Sequence, residues 1–187
     1  MDMPQAIRQL LEAEGVVYDE LYHEPTMTSE ASARARGADL RIGGKALVLK
    51  LGERFGVFVL SAACKIDSAA IKQHCRVKKI RFASATELYE LCGLVPGAVP
   101  PFGPPILPCA LYVDASILQN RRIAFNAGAL AYSIILAVED YLRVTKPTVF
   151  HFARTENGQQ DCPGHLDSAP DADGSLSRQH HARSKEL

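Results

Sequence analysis

Ala46-Leu-Val-Leu-Lys-Leu51 and Phe55-Gly-Val-Phe-Val-Leu60 are two apolar runs separated only by Gly52-Glu53-Arg54. Short apolar, β-branched and aromatic runs around a glycine-bearing turn form a β-hairpin. Working outward, Ile7, Leu10 and Leu11 recur at helical spacing over residues 4–13, and Gly15 stops that helix. Residues 16–22 read as a strand. Thr28 or Ser29 can cap a short helix with Glu30 in its first turn, and Gly37 ends it. Downstream, Asp67 caps a helix to about residue 74, a strand follows around 79–82, and Ser84 caps another helix to residue 92. Residues 111–114, 122–125 and 132–136 read as strands, 138–143 as a helix and 148–152 as a last short strand. Strands outnumber helices, are joined mostly by hairpins and do not alternate regularly with helices. That excludes a doubly wound parallel sheet and favours a mixed α+β domain.

The chain has 187 residues, enough for one domain and a tail. Composition shifts near residue 155, where branched apolar residues give way to Asp, Ser, Gly, Pro, His and Gln. The expected division is a domain over 1–154 and a disordered tail over 155–187. Lys+Arg and Asp+Glu are both 21, so bulk charge does not hold the protein to nucleic acid. The tail takes three basic and six acidic residues, which leaves the body with 18 and 15 and a mildly basic surplus. Trp is absent and aromatics make up 7%, too few for a base-stacking platform. No apolar run approaches the roughly 18 residues of a membrane span, and the first residues lack a secretory pattern. A cytoplasmic protein without membrane contact is expected.

Cys64, Cys75, Cys92, Cys109 and Cys162 are odd in number and have no Cys-x-x-Cys spacing. They read as reduced thiols, and a structural zinc site is excluded. There is no Gly-x-Gly-x-x-Gly after a strand and no phosphate-binding loop, so no nucleotide cofactor is implied. Ser61, Ser116 and Ser133 lack a nucleophile elbow. Asp39, Asp67 and Asp114 are single and suit caps or turns better than a paired-carboxylate site.

Three segments exceed what packing requires. Arg41-Ile-Gly-Gly-Lys45-Ala-Leu-Val48 sets one lysine at the entrance of a strand after two glycines. A mobile ammonium suits a phosphate or a developing oxyanion, although a surface lysine after a turn explains the pattern too. Gly93-Leu-Val-Pro-Gly97-Ala-Val-Pro-Pro101-Phe-Gly103-Pro-Pro105 holds five prolines and three glycines in thirteen residues. Such a loop is stiff and can aim backbone N–H groups, or it is a rigid connector. Ile123-Ala-Phe-Asn126-Ala-Gly128 ends a strand in an amide and a glycine, which suits a pocket wall or a turn. His23, before Glu24-Pro25, is a general-base candidate or a hydrogen-bonded structural histidine. Lys72, Arg76, Lys78, Lys79 and Arg81 form a basic run with no acid between Ser68 and Thr86, either a solvated face or a phosphate contact.

Together, His23-Glu-Pro25, Gly44-Lys45-Ala-Leu-Val48, Gly97-x-x-x-Pro101 with Phe102, and Ala124-Phe-Asn-Ala-Gly128 resemble the YbaK and prolyl-tRNA synthetase editing-domain family. The resemblance spans about residues 5–153 and implies a YbaK-like α+β domain with a mixed, barrel-like sheet flanked by helices. It implies hydrolysis of the ester of a mischarged aminoacyl-tRNA, with no cofactor, no metal and no protein nucleophile. The terminal 2′-hydroxyl is thought to assist a water. Lys45, Gly97 and Pro101 match the family's catalytic lysine and loop. His23, Ala46, Phe102, Asn126, Gly128 and Ser133 are then substrate-binding candidates, and Lys72, Arg76, Lys78 and Lys79 tRNA-binding ones. Members acting on Cys-tRNA carry Thr after the lysine and a late acid, where this chain has Ala46 and Ser133. The pattern is closer to the branch that edits serine and threonine, with alanine or 2-aminobutyrate as alternatives. Expected partners are the aminoacyl-tRNA acceptor end and a tRNA synthetase. The rival reading is a non-catalytic tRNA- or synthetase-binding module of the same fold.

Overall fold

The computed structural model describes residues 2–155 and the two-residue segment Gln179–His180. Most of the expected tail therefore lies outside the described residues. Helix α1 (Met3–Ala13) is capped by Asp2, whose carboxylate accepts from Gln5 N at 2.8 Å. Strand β1 (Tyr18–Tyr22) leads to α2 (Ser29–Arg36), capped by Thr28 and closed by Gly37 at φ 62°. After a 3₁₀ turn at Leu40–Ile42, β2 (Gly44–Leu51) and β3 (Arg54–Ser61) form the expected hairpin, in register from Gly44 opposite Ser61 to Leu51 opposite Arg54. Strand β4 (Lys65–Ile66), α3 (Ser68–Cys75), β5 (Ile80–Phe82) and α4 (Ala85–Cys92) follow. The start of α4 is a capping box between Ser84 and Glu87. Strand β6 (Ala110–Asp114), short helix α5 (Ala115–Leu118), β7 (Arg122–Ala129), β8 (Tyr132–Ala137), α6 (Val138–Thr145), β9 (Thr148–Phe150) and β10 (Ala153–Arg154) complete the domain. Gln179–His180 is strand β11, on the outer edge of β1.

Two larger sheets wrap the core, and β4 pairs antiparallel with β10 in a small third one. Of the larger two, one runs β5-β2-β3-β6-β9, the other β11-β1-β8-β7. A parallel bridge between Gly43 and Ala124 joins them into a barrel-like whole. Glycine is required there, because a Cβ on Gly44 would stand 2.6 Å from Ile123 Cδ1 and one on Gly43 2.9 Å from the Ala62 Cβ. The glycines before Lys45 thus serve close approach of the two sheets. Strand β3 is buried on both faces, with Val57 and Val59 in the core cluster that includes Ile7 and Leu11, and Phe58 and Leu60 in the one around Phe152. Each such side chain contributes about 1.5–3 kcal/mol by leaving water.

Three expectations change. The β3–β6 and β6–β9 pairs are parallel, so hairpins account for fewer connections than the sequence suggests. The final strand breaks after Phe150, because the buried Asp114 carboxylate draws in the backbone N–H groups of Phe152 and Ala153, at 2.5 and 2.8 Å. Cys64 is disulfide-bonded, whereas Cys75, Cys92 and Cys109 are free thiols.

Candidate active site

The hairpin entrance, helix α2 and the proline-rich loop enclose a pocket of about 210 Å³. Strand β2 brings Lys45 and Ala46, the loop brings Gly97, and β7 brings Asn126. Helix α2 turns Ser29, Ser32 and Arg36 toward the same space, one above another at helical spacing. The rim is exposed at Met27, Thr28 and Gly97, and the floor is buried at Ser32, Arg36 and Asn126. Among the described residues the lining carries two cationic side chains and no carboxylate.

Lys45 donates from Nζ to the Cys64 carbonyl oxygen at 2.6 Å. Burial lowers its pKa, the field of Glu30 opposes that shift, and Lys65 adds to it. Gly97 has φ 88°, and a Cβ there would stand 3.1 Å from Leu130 Cδ2. Its backbone N–H has no acceptor among the described residues, while its carbonyl accepts from Asn126 Nδ2 at 2.9 Å.

Beneath the floor lies a closed polar cluster. Arg36 donates from Nε to Ser133 Oγ at 2.9 Å and from Nη2 to Asn126 Oδ1 at 2.6 Å. Burial pulls its guanidinium pKa down to about 10, so it stays charged at neutral pH. His23 Nδ1 sits 2.8 Å from the Glu24 carbonyl, an acceptor only, so Nδ1 carries a proton. His23 Nε2 stands 2.7 Å from Ser133 Oγ. The Ser133 hydroxyl donates to Asn126 Oδ1, 3.1 Å away.

The structure thus brings Lys45, Ala46, Gly97 and Asn126 onto the pocket and sets the other candidates behind it. Ser133 is fully buried and orients Arg36, and His23 stands beyond Ser133 rather than on the lining. Pro101 is buried, with its carbonyl accepting from Tyr141 Oη at 2.6 Å. Phe102 packs edge-on against Phe125 and Tyr141 in the core. Gly128 backs onto α1, where a Cβ would meet Met3 Cγ at 2.5 Å. Phe102, Gly128, Ser133 and His23 are therefore not on the pocket lining. Lys72, Arg76, Lys78 and Lys79 lie on α3 and the segment before β5, away from this lining, and have no acidic partner among the described residues. Arg81 is taken by Glu87 at 2.6 Å. Among the described residues no cluster of His, Cys, Asp or Glu could hold a metal.

Sequence reasoning missed Ser32 and Arg36. The available signal was α2 itself: SEASARAR has no branched apolar residue, so its inward face must consist of Ser32, Ala33 and Arg36.

The site is thus a small, cation-lined pocket at the seam between the two larger sheets of a mixed α+β domain. Residues 23–144 match the aminoacyl-tRNA editing domain model, and the chain belongs to that family. It is an aminoacyl-tRNA deacylase, hydrolysing the ester that links a wrong amino acid to tRNA. It is 36% identical over 157 residues to the multifunctional Ser/Thr-tRNA deacylase ProXp-y of Escherichia coli, covering 81% of this chain and 93% of that one. The solved structure of a candidate trans-editing enzyme for prolyl-tRNA synthetase superposes with a TM-score of 0.70 at 23% identity, over 82% of this chain and 98% of the other. The hypothetical protein APE2540 gives 0.71 at 22%, over 79% and 99%. These two likenesses bear on the fold alone.

Proposed function

We propose that the pocket removes serine or threonine from mischarged tRNA, acting in trans. The observation that carries this reading is the convergence of Lys45, Ala46, Gly97 and Asn126 on one small cavity that has no carboxylate among the described residues. At about 210 Å³ the cavity is smaller than clefts for drug-sized ligands and suits a small acyl group. The Ser/Thr specificity of the Escherichia coli relative supports the same substrates.

In this reading water adds to the ester carbonyl carbon, the bond to the ribose 3′-oxygen breaks, and that oxygen takes a proton. Lys45 holds the terminal phosphate and ribose, and the free Gly97 N–H meets the oxygen on which negative charge develops. An aminoacyl ester is already activated, so positioning and charge stabilisation suffice. Among the described residues the pocket lining holds no histidine or carboxylate to act as base, and in this reading the terminal 2′-hydroxyl orients the water. Lys72, Arg76, Lys78 and Lys79 contact the tRNA backbone, each contact contributing on the order of 1 kcal/mol or less. A tRNA synthetase that hands over the acceptor end is the second partner, and the cytoplasm is the compartment. Among the described residues no helix is long and apolar enough to cross a membrane.

The test is a panel of tRNAs charged with labelled serine, threonine, alanine, 2-aminobutyrate and proline. Serine and threonine are expected to be released fastest. Release of none of them would remove the reading.

A further inference from the structure

The geometry points to Arg36 as the residue that reads the hydroxyl of the acyl group, an inference that rests on the serine/threonine reading above. Two of its three guanidinium nitrogens are committed to protein, Nε to Ser133 and Nη2 to Asn126. Nη1 makes no hydrogen bond within the described residues, yet no buried side-chain nitrogen there lacks a partner. Nη1 is therefore accessible, and Arg36 lines the pocket. No carboxylate pairs with Arg36 among the described residues. The result is a rigidly held donor on the floor of a cavity whose natural ligand is an uncharged acceptor or an anion.

Topology of the substrate decides which part reaches it. The polynucleotide must leave through the mouth, so phosphate and ribose stay at the rim with Lys45 and Gly97. The amino acid is the terminal group and goes deepest. Its α-ammonium is repelled by Lys45 and Arg36 and turns away, which leaves the side chain to meet Nη1. The serine or threonine hydroxyl can accept from that donor. A methyl in the same place would leave a buried charged N–H without a partner, and sites built around such a bond reject the analogue strongly. Asn126 and Ser133 hold the fork in plane, so the donor direction is fixed before substrate arrives.

The experiment compares serine with 2-aminobutyrate on the same tRNA, since the two differ by a methyl in place of the hydroxyl. For the unaltered protein kcat/KM is expected to favour serine by at least about tenfold. In Arg36→Met the preference is expected to fall to about twofold or less, mainly through loss of the serine reaction. Should that variant not fold, as judged by its melting transition, Arg36→Gln is read for the same ratio. Equal cleavage of the two substrates by the unaltered protein, or a preference that survives in the variant while both rates fall together, overturns the inference. Failure to release any amino acid from any charged tRNA would instead strike the deacylase reading itself, and the two failures are distinct.

Discussion

Asp114 and Arg36 are both buried and charged, and the surroundings of each give it a different task. The Asp114 carboxylate accepts from the backbone N–H groups of Ser116, Phe152 and Ala153, all within 2.8 Å. Every bond it makes closes on the fold, tying β6 to α5 and bending the chain from β9 into β10. Arg36 makes two bonds to the protein and keeps a third nitrogen facing a cavity. A buried charge whose partners are all internal holds structure, whereas one with donors left over at a cavity meets a ligand. The exposed lysines near α3 give a third reference point, because water already satisfies them.

The largest expected effect falls on Asp114. Asp114→Ala leaves three backbone N–H groups without an acceptor, and denaturant unfolding is expected to show a loss of about 3 kcal/mol or more. A loss below about 1 kcal/mol would erase the contrast with Arg36. Next comes the open pocket, which supplies cations and N–H donors but no base. A tRNA ending in 2′-deoxyadenosine, acylated at its 3′-oxygen, is expected to lose its amino acid at least about a hundredfold more slowly in single turnover. Cleavage at the normal rate would move the proton acceptor to His23 or another side chain. At the rim, Gly97→Ala must hold a left-handed backbone angle against Leu130. Its single-turnover rate is expected to fall about tenfold, with a smaller change in tRNA Kd measured by filter binding. An equal change in both would make Gly97 a binding contact only. Smallest of all, Lys78→Ala or Lys79→Ala is expected to weaken tRNA binding by less than about 1 kcal/mol and to lose even that at high salt, with the single-turnover rate unchanged.

Much of this was legible in the residues. The hairpin at Gly52, the caps at Asp67 and Ser84 and the stop at Gly37 are local, and local chemistry settles them. Parallel pairing of β3, β6 and β9 depends on crossovers that leave no mark within a strand. The break after Phe150 depends on the bond from Phe152 to Asp114, 38 residues apart in sequence. In the site, Lys45 and Gly97 stood out because their neighbours are unusual. Phe102 and Gly128 stood out for the same reason, but their neighbours serve core packing and the seat of α1. Arg36 stayed hidden because a helix-terminal arginine before glycine is ordinarily a solvated cap. The one signal in the sequence was that α2 has no branched apolar residue to bury.

The central claim is that the ester is cleaved in the pocket at Lys45. Single-turnover release of labelled serine from tRNA, with protein in saturating excess, tests it most directly. Lys45→Ala is expected to keep the native melting temperature and to cut the rate by at least about tenfold, roughly 1.4 kcal/mol. A folded Lys45→Ala protein that releases serine at the native rate would contradict the account.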